Sequence, residues 1–210
     1  MTFIPTGYWT EAYAAADQDP IIFANFNVPS YMGNADRVEL TKDKIKGYTI
    51  WDEDYLYVLY DVTDSDIAPT STNGYDTDSV EFFLDEDNSG ETTYSANRDA
   101  IQVRINAIDN YFTANENGTA VYDLIAHAVQ PKKDGANNTI GYYAEFVIKF
   151  TKKHKTGDTL GMDLQINDCY TVPGNGGDPA TPSRAGTVTA YDTSNDGFQN
   201  PSVFGKIKLK

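Results

Sequence analysis

Apolar and polar residues alternate in many short stretches of the chain, and this pattern predicts β-strands. The clearest case is residues 55–62, where Leu56, Val58, Tyr60 and Val62 share one face. The same spacing recurs in residues 79–84, 100–107, 141–150 and 160–167. Shorter apolar stretches predict further strands at 21–24, 37–40, 47–51, 125–130, 187–191 and 205–209.

The number and spacing of these strands predict an all-β fold. Roughly ten short strands, separated by turn-forming residues and without an internal repeat, are typical of an antiparallel, jelly-roll-like β-sandwich. A short helical turn is compatible with residues 11–16, and the Gly- and Pro-rich residues 171–185 predict a mobile loop. No change in composition marks a linker, so we expect a single domain over residues 1–210.

Charge and composition narrow the class of partner. The chain has 210 residues and a formal net charge of −15, which argues against nucleic acid and anionic membranes because both bind basic surfaces. The aromatic share of 13 % is high, as it is in proteins whose surfaces stack on sugars. Cys169 is the one cysteine, so the sequence predicts neither a disulfide framework nor a thiolate metal cluster.

Polar side chains of one kind alternate on the outer face of three predicted strands. This polar grid consists of Glu81, Gln102, Arg104, Asn106, Gln165 and Asn167. Amides, a carboxylate and a guanidinium suit sugar hydroxyls, since each hydroxyl both donates and accepts a hydrogen bond. Tyr75 and Phe198, in flanking loops, could cover the apolar faces of a sugar ring. A simple cross-strand ion pair explains Glu81 and Arg104 taken alone, but not the whole set.

Five segments, in this order along most of the chain, resemble family 9 carbohydrate-binding modules, which are appended to secreted xylanases. They are Trp51-Asp-Glu-Asp-Tyr-Leu-Tyr-Val58, Asp78-Ser-Val-Glu-Phe-Phe-Leu-Asp-Glu86, Ile101-Gln-Val-Arg-Ile-Asn106, Leu164-Gln-Ile-Asn-Asp168 and Asn200-Pro-Ser-Val-Phe-Gly205. The resemblance implies a β-sandwich with bound calcium that recognises the ends, especially the reducing ends, of β-1,4-glucan or xylan chains. Its partners would be cellulose, xylan and soluble oligosaccharides, and it would be linked to a glycoside hydrolase domain.

The resemblance also implies a role for individual residues. Tyr75 and Phe198 occupy the places of two tryptophans that sandwich the sugar, and these smaller rings are the main departure from the family. Hydrogen-bonding positions of the family fall on Glu81, Arg104, Asn106, Gln165, Asn167 and Asn195.

The sequence around the start of the chain bears on localisation. The first residues, Met1-Thr-Phe-Ile4, have neither the basic nor the apolar region of a signal peptide. The chain would therefore be either cytosolic or an excised module of a secreted protein. The family resemblance favours the extracellular, secreted alternative.

Acidic turns are candidate calcium sites. Residues 85–90 match the first half of an EF-hand loop, but the twelfth position is Ala96 instead of glutamate, so we expect no complete EF-hand. Asp85, Asp87 and Asp99 are the predicted calcium ligands, and a second acidic cluster comprises Asp61, Asp64 and Asp66. An ordinary solvated turn is the alternative in both places.

Two functions of other classes compete with sugar binding. A jelly-roll glycoside hydrolase would use Glu81 and Glu145 as a pair, with carboxyl groups ~5 Å apart in a retaining enzyme. A structural or adhesion domain would need no small ligand, and the polar grid argues against that class. With no coherent nucleophile or acid–base set elsewhere, the sequence predicts a binding module and not an enzyme.

Overall fold

A computed structural model of the chain describes residues 20–27, 44–68, 74–94, 100–108, 112–114, 125–172 and 181–210. Eleven strands are found in these residues. They are β1 (Asn25–Asn27), β2 (Ile45–Trp51), β3 (Tyr55–Thr63), β4 (Ser79–Asp85), β5 (Ala100–Asn106), β6 (Phe112–Ala114), β7 (Ile125–Lys133), β8 (Thr139–Lys149), β9 (Thr159–Val172), β10 (Thr181–Thr189) and β11 (Gly205–Lys208).

The strands form two antiparallel sheets. The larger sheet has seven strands in the order β1-β10-β9-β4-β5-β6, and β11 pairs with β9. The smaller sheet has the order β2-β3-β8-β7. The predicted all-β antiparallel sandwich is therefore confirmed. Among the described residues, no helix is both long and apolar enough to cross a membrane.

The hydrophobic core lies between the two sheets and contains the faces that the alternation predicts. Phe82 of the larger sheet packs against Phe146 of the smaller sheet, with 6.3 Å between ring centroids. Tyr60 of β3 is fully buried, and its hydroxyl donates a 2.7 Å hydrogen bond to the carbonyl of Glu81 in β4. This bond spans the core, so the phenol fixes the smaller sheet against the strand at the centre of the larger one.

Strand boundaries differ from the prediction at three places. Thr181–Ala185 belong to β10 instead of a loop, because they pair with the extended end of β9 through a bulge between Arg184 and Gly186. The short strand β6 was not predicted. The predicted strand at 21–24 is an isolated bridge from Ile21 to Gly47, and the strand itself begins at Asn25.

Other predictions lie outside the described residues. They are the helical turn at 11–16, the strand at 37–40 and the central part of the predicted loop at 171–185. The extent of the domain, residues 1–210, stays a prediction.

Candidate functional site

The polar grid lies on the outer face of the larger sheet, where four strands align all its members except Gln102, together with other polar residues, in two rows. In one row, Thr189, Gln165, Glu81 and Arg104 are direct cross-strand neighbours on β10, β9, β4 and β5. The next row contains Thr187, Asn167, Ser79 and Asn106 on the same strands. Because each residue alternates with a core residue, these side chains project away from the core. Strand register thus brings together residues that are far apart in the sequence.

Glu81 is the centre of this arrangement. Its Oε2 accepts a 2.6 Å hydrogen bond from Gln102, and its Oε1 accepts one of 2.7 Å from Asn167. Arg104 Nη1 lies 3.3 Å from the same Oε1 and forms an ion pair with it. The Asn167 side chain in turn donates to Ser79 and accepts from Gln165 at 3.2 Å. The carboxylate is held in a fixed orientation by donors from three neighbouring positions.

The grid is more shielded from water than its outward orientation suggests. Glu81 is only 2 % exposed, and Asn106, Gln165 and Asn167 are also buried. A buried carboxylate is costly unless charged and neutral donors satisfy it, which Arg104 and the amides do here. The Oδ1 atom of Asn106 is buried without a hydrogen-bond partner in the described structure. A sugar hydroxyl is a group that could donate to such an atom.

Tyr75 lies at the end of the grid where β4 begins. It belongs to a short 3₁₀ helix, Gly74–Asp76, and its side chain is 45 % exposed. Gly74 packs directly on Arg104, because a Cβ at this position would lie 2.9 Å from Nη2. The guanidinium carbon of Arg184 lies 5.4 Å from the centre of the Tyr75 ring, close enough for a cation–π interaction.

Arg184 is a residue that the sequence analysis missed. Its Nη1 also donates a 3.4 Å hydrogen bond to Asn167, so it joins the ring of Tyr75 to the grid. It was missed because its segment was predicted as a loop. Gln102 was placed in the grid, but its direct bond to Glu81 became evident only from the structure.

Phe198 is carried by the loop at residues 190–200, after β10. The ring is 51 % exposed. The loop returns over the outer face of the sheet, since Gly197 lies beside Phe83 of β4 and its carbonyl accepts a hydrogen bond from Tyr94. Asn195 of the same loop accepts a 2.7 Å hydrogen bond from Thr187, so it meets the second row of the grid. The segments that carry the exposed rings of Tyr75 and Phe198 therefore both contact the polar rows.

The pair Glu81 and Glu145 cannot act as glycosidase carboxylates. Glu145 lies on β8 of the smaller sheet, between the core residues Ala144 and Phe146. Its side chain projects from the outer face opposite to that of Glu81. Packed sheets are already about 10 Å apart before side chains are added, whereas glycosidase pairs are separated by about 5–9.5 Å across one bond. The glycosidase alternative based on this pair is wrong.

Three buried aspartates form a candidate metal centre. Asp64, Asp78 and Asp168 each offer a carboxylate oxygen within 4.8 Å of the others. Burial, followed by the negative charge of Asp64, raises the pKa of Asp78 well above its usual value, although amide hydrogen bonds from Cys169 and Ala68 oppose this shift. Carboxylate oxygens in a rigid, buried cluster are the ligands that Ca²⁺ prefers. The donor set therefore fits calcium, and a divalent cation would relieve the mutual repulsion.

The calcium ligands predicted from sequence lie elsewhere. Asp85 accepts backbone amides of Ser89 and Gly90, and Asp87 also accepts the amide of Ser89, so both close their own turn. Burial raises the pKa of Asp85. Asp99 lies outside the described residues. The choice of Asp85, Asp87 and Asp99 stays a prediction.

The second predicted cluster is divided by the structure. Asp61 pairs with Lys132 at 2.6 Å, Asp66 is exposed, and Asp64 alone joins the buried centre. Asp78 and Asp168 were missed because they are adjacent only after β4 and β9 have paired. Sequence spacing contained no signal for this cluster.

Comparisons with known proteins agree with this architecture. The profile of the family described as "Carbohydrate family 9 binding domain-like" matches residues 29–210. A solved family 9 carbohydrate-binding module from Caldicellulosiruptor kristjanssonii, in complex with cellotriose, superposes with a TM-score of 0.66 at 27 % identity, covering 92 % of this chain and 90 % of that one.

Curated relatives are larger enzymes. The chain is 36 % identical over 161 residues to endo-1,4-beta-xylanase A of Thermoanaerobacterium saccharolyticum, covering 76 % of this chain and 12 % of the xylanase. It is equally similar, over 76 % of its length, to exoglucanase XynX of Acetivibrio thermocellus, of which it spans 13 %. The chain thus spans only a small part of these relatives. It belongs to the carbohydrate family 9 binding domain-like family.

Proposed function

We propose that this chain is a non-catalytic module that binds the ends of β-1,4-linked glucan or xylan chains. The binding slot is formed by the polar grid together with Tyr75, Phe198 and Asn195. The observation that carries the proposal is the network around Glu81, which orients charged and amide groups on a sheet face that is contacted by the segments carrying the exposed rings of Tyr75 and Phe198. A surface of this kind matches both the polar edge and the apolar faces of a pyranose.

The two aromatic rings and the polar grid would recognise different parts of the sugar. Tyr75 and Phe198 would cover the two apolar faces of the sugar, which removes apolar surface from water. The hydroxyl edge would meet Arg104, Asn106 and the amides, with Glu81 as an acceptor. Hydrogen bonds to charged groups contribute about 1.5–3 kcal/mol each, roughly twice as much as those between neutral groups. Preference for a reducing end would come from the free anomeric hydroxyl, which only that end of the chain presents.

Similarity supports the class of ligand and the biological context. Solved family members were obtained in complex with cellotriose and with glucose, and the curated relatives include xylanases. We infer that the module is linked to a glycoside hydrolase in a secreted protein and directs that enzyme to plant cell-wall polysaccharide. Its net charge of −15 fits a neutral ligand better than nucleic acid or an anionic membrane.

Calorimetric titration with soluble sugars tests the proposed function. Cellobiose, cellotriose and xylobiose should bind, and the chain should release no reducing sugar from xylan or cellulose. Reduction of the terminal aldehyde to an alditol should weaken binding if the slot recognises reducing ends. Absence of binding to all these sugars at millimolar concentration would contradict the proposal.

We also propose that calcium is a structural cofactor held by Asp64, Asp78 and Asp168. These residues tie the start of β4 to β9 and to the segment after β3, so a cation there would stabilise the end of the sheet beside Tyr75. Chelation should lower the melting temperature, and added calcium should restore it by binding to the native state. An unchanged melting curve with no metal found by elemental analysis would contradict this proposal.

A further inference from the structure

Asp163 connects β9 to the start of the loop that carries Phe198. The residue is buried on the outer face of the larger sheet, two residues along β9 from the grid residue Gln165. Its Oδ1 accepts backbone amides of Ala190 and Tyr191 at 3.2 and 3.0 Å, and its Oδ2 accepts the amide of Asp192 at 2.6 Å. A single carboxylate thus fixes three consecutive residues of the loop.

Asp192 fixes the following residues of the loop in the same way, by accepting their backbone amides. Its buried carboxylate accepts the amides of Ser194, Asn195 and Gly197 at 2.7, 3.1 and 2.8 Å. Asn195 has a positive φ of 60°, a conformation that asparagine adopts more readily than most residues but that still needs local support. Through these bonds, the carboxylate of Asp192 sets the backbone on both sides of Asn195 and immediately before Phe198.

We propose that Asp163 and Asp192 are positioning residues of the slot, which hold Asn195 and Phe198 in place and make sugar affinity depend on an ionised Asp163. This inference rests on the proposed function. The two carboxylates act in series: Asp163 anchors the backbone of Asp192, and Asp192 anchors the residues that would meet the sugar. Neither residue needs to touch the ligand for its loss to disorder the slot.

The protonation state of Asp163 should make the position of the loop, and therefore the sugar affinity, depend on pH. Burial raises the pKa of Asp163 to about 6, and the negative charge of Asp192 adds to the shift, although the amides that it accepts lower the pKa. Protonation would place a donor where an oxygen now accepts a backbone amide, so the loop would have to move. The other ionisable groups that face this carboxylate are the phenols Tyr60, Tyr94 and Tyr191.

Stability and binding should respond to pH in opposite directions through this group. Because the folded-state pKa of Asp163 is raised, its contribution to stability is greatest below its ordinary pKa near 3.9 and is lost as the pH rises through about 6. Acidification from pH 7.5 to 5.0 therefore does not unfold the chain through Asp163, yet it should weaken sugar binding. A residue that served only the stability of the fold would not separate these two quantities.

Titration of the chain with cellotriose at pH 7.5 and 5.0, in saturating calcium, tests this inference. The wild type should bind about tenfold more weakly at pH 5.0, which corresponds to the loss of a charge-assisted hydrogen bond. Asp163→Asn should bind about tenfold more weakly at both pH values and show no pH step. Asp134→Asn, in the distant turn between β7 and β8, should behave as the wild type.

The outcomes separate this inference from the proposed function. Absence of binding by the wild type at pH 7.5 would overturn both. Binding that is equal at both pH values, or an undiminished pH step in Asp163→Asn, would overturn the inference alone. Should Asp163→Asn fail to fold, Asp192→Asn provides a second variant, and wild-type affinity at pH 7.5 in this background would overturn the inference.

Discussion

Glu81 on β4 and Asn167 on β9 are joined by a 2.7 Å hydrogen bond between carboxylate and side-chain amide, which links the two rows of the polar grid. The two residues are 86 positions apart in the sequence and become neighbours only through strand pairing. The bond orients the one acid of the grid before any ligand arrives. Preorganisation of this kind lowers the cost of ordering polar groups when a ligand binds.

Replacement of Glu81 by glutamine should affect both stability and binding. The new amide group would face Gln102, Asn167 or Arg104, all of which donate, so one buried donor would lose its acceptor. We expect the free energy of unfolding to fall by about 1–3 kcal/mol and sugar binding to be lost. Thermal unfolding and calorimetry with cellotriose measure the two effects.

Glu145→Gln, on the opposite outer face, is the matched control. It should leave the sugar affinity unchanged because Glu145 lies on the smaller sheet. Equal loss of binding in both variants, or hydrolysis that depends on either glutamate, would contradict the placement of the slot on the larger sheet.

Among the glycines that the structure describes, Gly141 should be the most sensitive for stability. It has a φ of +147°, and a Cβ at this position would overlap the carbonyl oxygen of Val62 on the paired strand. Gly141→Ala should therefore lower the free energy of unfolding by at least ~3 kcal/mol. Gly135→Ala, in the adjacent turn with open space around its Cβ, should change it by less than ~1 kcal/mol. Urea unfolding of both variants checks this difference, and equal stability of the two would contradict the register of β3 and β8.

Alternation along the chain was sufficient to predict the core and the polar grid. In β3 and β5 the predicted faces are the observed ones, since a strand with one apolar face can pair in only one register without burying polar groups. The burial of the grid side chains could not be predicted from this alternation. Side chains from β5 and β9 surround Glu81, and local sequence contains no information on this strand pairing.

The metal centre and the role of Arg184 could not be predicted from the sequence, because both depend on residues that only strand pairing brings together. Turns rich in aspartate, such as the one at Asp85, are readily predicted as metal sites because their acids are adjacent in the sequence. Asp64, Asp78 and Asp168 come together only when β4 pairs with β9. Arg184 lies in a Gly- and Pro-rich stretch whose composition is typical of loops, but the long strand β9 supplies it with a partner.

Single substitutions can decide between the two candidate calcium sites. Addition of calcium to the metal-free wild type at 100 times its dissociation constant should stabilise the fold by about 2.7 kcal/mol. Asp168→Asn should abolish the corresponding rise in melting temperature, because it removes one of three buried oxygen ligands. Asp87→Asn should retain this rise. The reverse result would place the calcium site in the turn after β4.

The central claim is that a sugar is held between the rings of Tyr75 and Phe198. Calorimetric titration of Tyr75→Ala and Phe198→Ala with cellotriose tests it most directly, with Tyr55→Ala as control. Tyr55 is also exposed, at 37 %, but lies on the smaller sheet. Loss of either slot ring should cost about 2 kcal/mol, or roughly thirtyfold in Kd, with little change in melting temperature, while Tyr55→Ala binds as the wild type. Wild-type affinity in both slot variants would contradict the claim.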